Sequence, residues 1–186
     1  PDLPSVAFTY NNIGEVHRKK GEYDKALEYY QKSLAIKLKK LGADHPDVAT
    51  SYNNIGLVYD SKAEYDHALE YYQKSLAIRL KQLGPDHPDV AASYNNIGMV
   101  HHKKAEYDKA LEYYQKALAI QLKQLGPGHP SVATSYNNMA LVYYAKKDLA
   151  KAKEYFGKAY AIYLKKLGPN HPSTKLIKAN LDFLNK

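Results

Sequence analysis

The sequence predicts an all-α fold, an α-solenoid of helix-turn-helix repeats with a C-terminal capping helix, and three observations predict it. Motifs return every 42 residues, as in Tyr10-Asn11-Asn12, Tyr52-Asn53-Asn54, Tyr94-Asn95-Asn96 and Tyr136-Asn137-Asn138. Within each unit, apolar residues fall at the i, i+3, i+4, i+7 spacing of one buried helical stripe. Each unit is then closed by the same punctuation, a Leu-Gly pair (Leu41, Leu83, Leu125, Leu167) followed by a His-Pro pair (His45, His87, His129, His171). A fixed period of this length marks an array of supersecondary units, each burying its apolar face only against its neighbours.

The elements follow in order. Repeats are expected over about residues 4–45, 46–87, 88–129 and 130–171, within one array spanning 1–186. In the second, the first helix runs from Pro46 to about Lys62. Proline suits N1, where a missing N–H costs nothing, and Asp47 suits the positive end of the helix dipole. Tyr52, Ile55, Gly56 and Tyr59 form its buried stripe. A turn at Ala63-Glu64-Tyr65 leads to a second helix, about Asp66 to Leu83, with Ala68, Leu69, Tyr72, Leu76, Ile78 and Leu83 inward. Gly84 supplies a left-handed C′ residue and Pro85 forbids continuation. Glycine at Gly14, Gly56 and Gly98 is disfavoured in a helix by about 1 kcal/mol against alanine, so it implies close helix approach there. The four His-Pro histidines are placed to cap the helices that follow them. A ninth helix, 172–185, carries Leu176, Ile177, Leu181 and Leu184 and caps the array. The unit beginning at Tyr136 has drifted, with Ala140, Leu149 and Lys153 in conserved slots of the array, as a terminal unit without a following neighbour can.

Composition narrows the function. The chain has 186 residues, formal net charge +8, no cysteine and nineteen tyrosines, most of them in repeated slots. Without cysteine there is no disulfide framework, thiolate metal site or cysteine nucleophile. Apolar runs are too short to span a membrane. The opening Pro1-Asp2 carries neither an initiator methionine nor a signal segment and reads as an excerpt or processed product.

The order Tyr52, Ile55-Gly56, Tyr59, Ala68, Tyr72, Ser75 resembles the tetratricopeptide repeat (TPR), and the 42-residue unit with its Leu-Gly-Pro-Asp-His-Pro linker and Asn-Asn pair resembles the kinesin light chain subtype. That resemblance implies a right-handed superhelix in which first helices line a concave groove that binds peptides or partner proteins. It implies an intracellular, cytoplasmic setting as well. The carboxylate-clamping chaperone subtype needs lysine or arginine at several groove places, which Asn11, Glu15, Ala92 and Asn96 do not supply.

Two features point to a groove. Units 10–51 and 52–93 agree at 32 of 42 positions, and four of the ten differences crowd into the end of the first helix, at Glu15/Leu57, His17/Tyr59, Arg18/Asp60 and Lys19/Ser61. The groove wall then reads Glu15, Arg18, Lys19; Leu57, Asp60, Ser61; Met99, His102, Lys103; Leu141, Tyr144, Ala145. It is charged at one end and apolar-aromatic at the other, so Leu57, Met99, His102, Leu141 and Tyr144 are candidate peptide contacts. The asparagine pairs do not drift. An amide can both donate to and accept from a peptide backbone. The resemblance carries that role to Asn12, Asn54, Asn96 and Asn138, with Asn11, Asn53, Asn95 and Asn137 beside them; the competing role is a bond from one column to the adjacent repeat.

Catalytic chemistry is not indicated. The histidines occupy repeat slots, no nucleophile turn or phosphate loop appears, and a near-identical array offers few unique convergent groups. No cofactor or metal is expected. Nucleic acid does not fit either: the repeat units carry +2, −2, +2 and +6, so the excess sits in the last one, on Lys151, Lys153, Lys158, Lys165 and Lys166, and not as a stripe along every repeat. The expected function is a non-catalytic scaffold holding an extended protein or peptide segment. The alternative is a structural, designed or recently duplicated solenoid that self-associates or spaces other domains.

Overall fold

The computed structural model describes residues 3–185, with side chains from Ser5 onward; Pro1, Asp2 and Lys186, the ends of the expected array, lie outside the described residues. Among the described residues there are nine α-helices and no strand. Contacts divide them into two compact units, up to Pro85 and from Asp86 on.

The first unit holds α1 (Leu3–Lys19), α2 (Tyr23–Leu41), α3 (Pro46–Ser61) and α4 (Tyr65–Leu83). Each helix packs on the next in sequence. Ala26, Leu27, Tyr30 and Leu34 of α2 meet Val48, Ala49, Ile55 and Val58 of α3 in one buried cluster, with Ile78 of α4. The predicted inward stripes are therefore the packed ones. The second unit holds α5 (Pro88–Lys103), α6 (Tyr107–Leu125), α7 (Pro130–Ala145), α8 (Leu149–Leu167) and α9 (Pro172–Leu184), again packed in series.

The close approach expected at glycine has a specific cause. A Cβ on Gly56 would sit 2.7 Å from Cδ1 and Cε1 of Tyr72, and those on Gly14 and Gly98 would sit 2.9 Å from the rings of Tyr30 and Tyr114. Each second-helix ring thus lies flat on the first-helix backbone. The fourth repeat uses Ala140 and Phe156 instead, both buried. The histidine caps are also formed. Nδ1 of His45 and of His87 accepts the N–H of Asp47 and Asp89 at 3.1 Å, and Nδ1 of His129 and of His171 accepts that of Ser131 and Ser173 at 3.2 Å.

Two expectations are corrected. Gly84 keeps the positive φ (83°) expected for a glycine stop, but its ψ of 165° lies outside the left-handed helical region. Positive φ recurs, unpredicted, in the turn inside each pair: Gly21 (φ 74°), Ala63 and Ala105 (59°), Lys147 (63°). Leu176, placed inward on the capping helix, is 60% exposed, while Ile177 fills the core and Leu181 and Leu184 pack against it. On α9 Lys178 and Asp182 occupy the slots held by tyrosine and glycine or alanine in the repeats, and they pair at 2.7 Å on its exposed face.

Candidate functional site

The conserved asparagines sit mid-helix on the first helix of each repeat. In the first unit, Asn54 Nδ2 of α3 donates to Asn11 Oδ1 of α1 at 3.0 Å, so the structural role considered for one column is present there. In the second unit, Ser135 Oγ of α7 lies 3.4 Å from Asn95 Oδ1 of α5 and donates to Gln121 Oε1 at 2.7 Å. Asn12 is exposed; Asn53, Asn96, Asn137 and Asn138 are half-buried.

Beside the first asparagine column the helices part to leave clefts. In the first unit a cavity of about 280 Å³ lies between α1, the C-terminal turn of α2 and the N-terminal turn of α3, with Phe8, Asn11, Lys37, Leu41 and Thr50 in its wall. In the second unit the equivalent cavity, about 250 Å³, is bounded by Ala92, Asn95, Gln121, Leu125 and Thr134. The clefts recur because the same slots line them, Asn11 and Asn95, Lys37 and Gln121, Leu41 and Leu125, Thr50 and Thr134.

The variable wall is less uniform than its sequence implies. Glu15 is tied down: its carboxylate accepts from Arg18 Nε at 2.9 Å and Nη2 at 2.7 Å, and from the Tyr30 hydroxyl at 2.8 Å. Those bonds, Arg18's foremost, hold its pKa at about 2. Asp60, placed on the wall, is buried at 8% exposure. Burial raises the Tyr72 phenol pKa and the Asp60 charge raises it further, which puts Asp60 near that ring and not in the open wall. Met99 packs on the cluster around Ala110, Leu111 and Tyr114. His102 stands 5.9 Å from the Tyr107 ring, its pKa lowered by burial and then by Lys103. Leu57 is half-buried.

Leu141 and Tyr144 do come together. At 37% and 43% exposure they line a cavity of about 160 Å³ with Phe156 of α8 and Asn180, Phe183 and Leu184 of α9. Sequence reading missed Asn180 and Phe183, because α9 had been assigned to capping. The signal was present: Asn180 is 42 residues beyond Asn138 and Phe183 is 42 beyond Leu141, so α9 is also a fifth first helix. Lys37 and Gln121 share one slot on the second helix, outside the predicted first-helix wall, although that slot is among the repeat differences.

Among the described residues no three His, Asp or Glu side chains gather as a metal-binding group, and no helix is long and apolar enough to cross a membrane.

No curated protein matches the sequence significantly. Solved structures do. The BtubC (BKLC) protein of P. vanneervenii is 24% identical with a TM-score of 0.85, over 98% of this chain and 72% of that one. The nearly identical TPR-like repeats of a kinesin light chain-like protein from Podosopora anserina are 26% identical with a TM-score of 0.83, over 99% and 87%. Aspartyl phosphate phosphatase F of Bacillus subtilis is 17% identical with a TM-score of 0.83, over 100% and 45%, a likeness of fold alone. The tetratricopeptide repeat family model matches residues 5–81, 64–123, 89–165 and 131–181. With helix pairs packed ring-on-backbone and kinesin light chain-like neighbours, the chain belongs to the tetratricopeptide repeat family.

Proposed function

We propose that the chain is a non-catalytic binding scaffold that holds an extended protein or peptide segment against the first helices of its repeats. TPR proteins generally mediate protein–protein interaction and are generally non-catalytic. The observation that carries the finer reading is the recurrence of an asparagine-edged cleft at the same slots in both units. An extended strand has backbone donors and acceptors to satisfy and side chains to place. Amide side chains beside a row of clefts meet both needs. Each amide–backbone bond contributes about 0.5–1.5 kcal/mol net, so several are needed for useful affinity. The Leu141–Tyr144 pocket adds an apolar anchor of the sort that dominates binding energy.

The test is selection of displayed random peptides on the intact chain, followed by affinity measurement with Asn54→Ala/Asn96→Ala and with Leu141→Ala/Tyr144→Ala. Selected peptides should lose about tenfold or more with either variant. Unchanged affinity in a variant whose helical content is intact would remove the proposed contacts. The alternative, self-association, draws on α1: Val16, in the slot where Val58 is fully buried, is 51% exposed. A monomer by sedimentation at high concentration disposes of it.

A further inference from the structure

We propose that the cleft between α1, α2 and α3 is a charge-selective subsite that takes a carboxylate side chain of an acidic, apolar-flanked partner segment, whereas its counterpart in the second unit takes a neutral one. The inference rests on the partner-binding reading above but names its own residues. Lys37 is the centre of it. Its Nζ reaches into the junction, donating to Ser51 Oγ at 2.9 Å and, at 3.4 Å, to the backbone carbonyl of Asp47. Both acceptors are neutral. Among the described residues no carboxylate lies within ion-pair distance of it, although most other lysines on the second helices, such as Lys32, Lys74, Lys81, Lys116 and Lys123, have one. The group is half-buried, and that burial lowers its pKa while the Asp47 charge opposes the shift. A partly desolvated ammonium held only by neutral oxygens is an incomplete arrangement, and a carboxylate entering the cleft completes it.

The rest of the wall suits such a ligand. Lys40 lines the same cavity, and its volume of about 280 Å³ has room for a glutamate or aspartate side chain. Phe8, 66% exposed, and Leu41, 42% exposed, offer apolar surface beside the cation for the residues flanking the acid. Asp47 is the acidic group in the wall. Its side chain is 61% exposed and lies toward His45 Nδ1, 3.9 Å away, so solvent screens it more than it screens Lys37.

The molecule carries its own control. In the second unit Gln121, Gln124, Ala92 and Ser131 stand in the slots of Lys37, Lys40, Phe8 and Asp47, around a cavity of similar size. That cleft is neutral, and Oε1 of its Gln121 accepts from Ser135 Oγ. The fold tolerates either residue at the slot, so charge there is not demanded by packing.

The experiment uses the intact chain, labelled with ¹⁵N and titrated with acetyl-Leu-Glu-Leu-amide and, separately, acetyl-Leu-Gln-Leu-amide. The acidic peptide should shift the amides of Asn11, Lys37 and Thr50 and bind about five- to tenfold more tightly there than the neutral one. Lys37→Gln should erase the preference, and Gln121→Lys should create it at Asn95 and Thr134. Both substitutions install a residue type compatible with helix C-terminal turns, and unchanged amide shifts elsewhere verify the fold. Equal binding of the two peptides at these amides, or no shift there with either, overturns the subsite. Shifts confined to Asn54, Leu141 and Tyr144, equal for both peptides, would overturn it while leaving the scaffold reading in place.

Discussion

The tyrosine that lies flat on each first helix yields a prediction with opposite signs at equivalent positions. Tyr30 and Tyr72 are both fully buried and fill the same slot. The Tyr30 hydroxyl donates to the ionised Glu15 at 2.8 Å. The Tyr72 hydroxyl is buried with no hydrogen-bond partner, because Leu57 stands where Glu15 stands in the first repeat. Tyr30→Phe removes a bond to a charged acceptor, worth about 1.5 kcal/mol here, since Arg18 still satisfies the carboxylate. Tyr72→Phe removes an unsatisfied buried group and keeps the ring, a gain of about 1 kcal/mol. The same substitution should therefore differ by about 2.5 kcal/mol between the two repeats. At this chain length that corresponds to a melting temperature lowered by about 3–6 °C in one case and raised by about 2–4 °C in the other. Urea midpoints from far-UV circular dichroism, with hydrogen exchange at α2 and α4 amides, read the change without assuming a single transition. If Tyr72→Phe destabilises as much as Tyr30→Phe, the hydroxyl of Tyr72 has a partner and the reasoning fails.

Three further outcomes follow from the same geometry. Gly56→Ala gains about 1 kcal/mol of helix propensity but drives a Cβ to 2.7 Å from an immobile ring, so a net loss of about 1–2 kcal/mol is expected; Gly157→Ala, with open space around it, should gain up to about 1 kcal/mol, both by urea denaturation. Ala63→Gly should stabilise by about 0.5–1 kcal/mol and Gly21→Ala should do the reverse, because the slot needs positive φ; equal midpoints would contradict this. Glu15 is held at about 2, below its usual 4.5, so its contribution is present above pH 4.5 and is lost as pH falls towards 2. Glu15→Gln should flatten that limb of the stability–pH profile, and an unchanged slope between pH 4.5 and 2 would count against the Arg18 and Tyr30 bonds.

The period of 42 residues carried most of the fold, because a repeat states its packing several times over. Where a slot is kept or nearly kept, as at His87 or Gly56, the sequence made its role legible: a cap in one, close helix approach in the other. The harder positions were those whose role depends on a neighbour. Asp60 occupies an exposed-looking slot, yet it lies buried near Tyr72, and helical phase alone does not report that burial. Leu176 looked like core from its type, but the phase of α9 turns Ile177 inward and leaves Leu176 in the slot of the exposed Thr134. The candidate site was legible as a set of columns; its clefts were not, since they belong to the divergence of three helix ends, a property of backbone rather than of any residue.

Repeats this alike make their deviations interpretable, and the slot of Lys37, Arg79, Gln121 and Tyr163, basic in the first two repeats and neutral in the last two, shows how. Each side chain leaves the C-terminal half of a second helix. Lys37 donates to Ser51 on the following first helix, and Gln121 accepts from Ser135 at the equivalent place. In the last repeat the following helix offers Ile177 in that position, buried and without an acceptor. Tyr163 accordingly packs its ring in the cluster with Ile177 and turns its hydroxyl back to Thr134 Oγ1, 2.8 Å away. Packing thus accounts for the polar group at Gln121 and at Tyr163, because a neutral amide meets a hydroxyl and a phenol meets a threonine. It accounts for only half of what is seen at Lys37. Ser51 explains a donor at Lys37; it does not explain a full positive charge, since glutamine serves the same junction in the second unit. The charge at Lys37 is the residue of the comparison once packing has been subtracted, and it stands on the edge of a cleft.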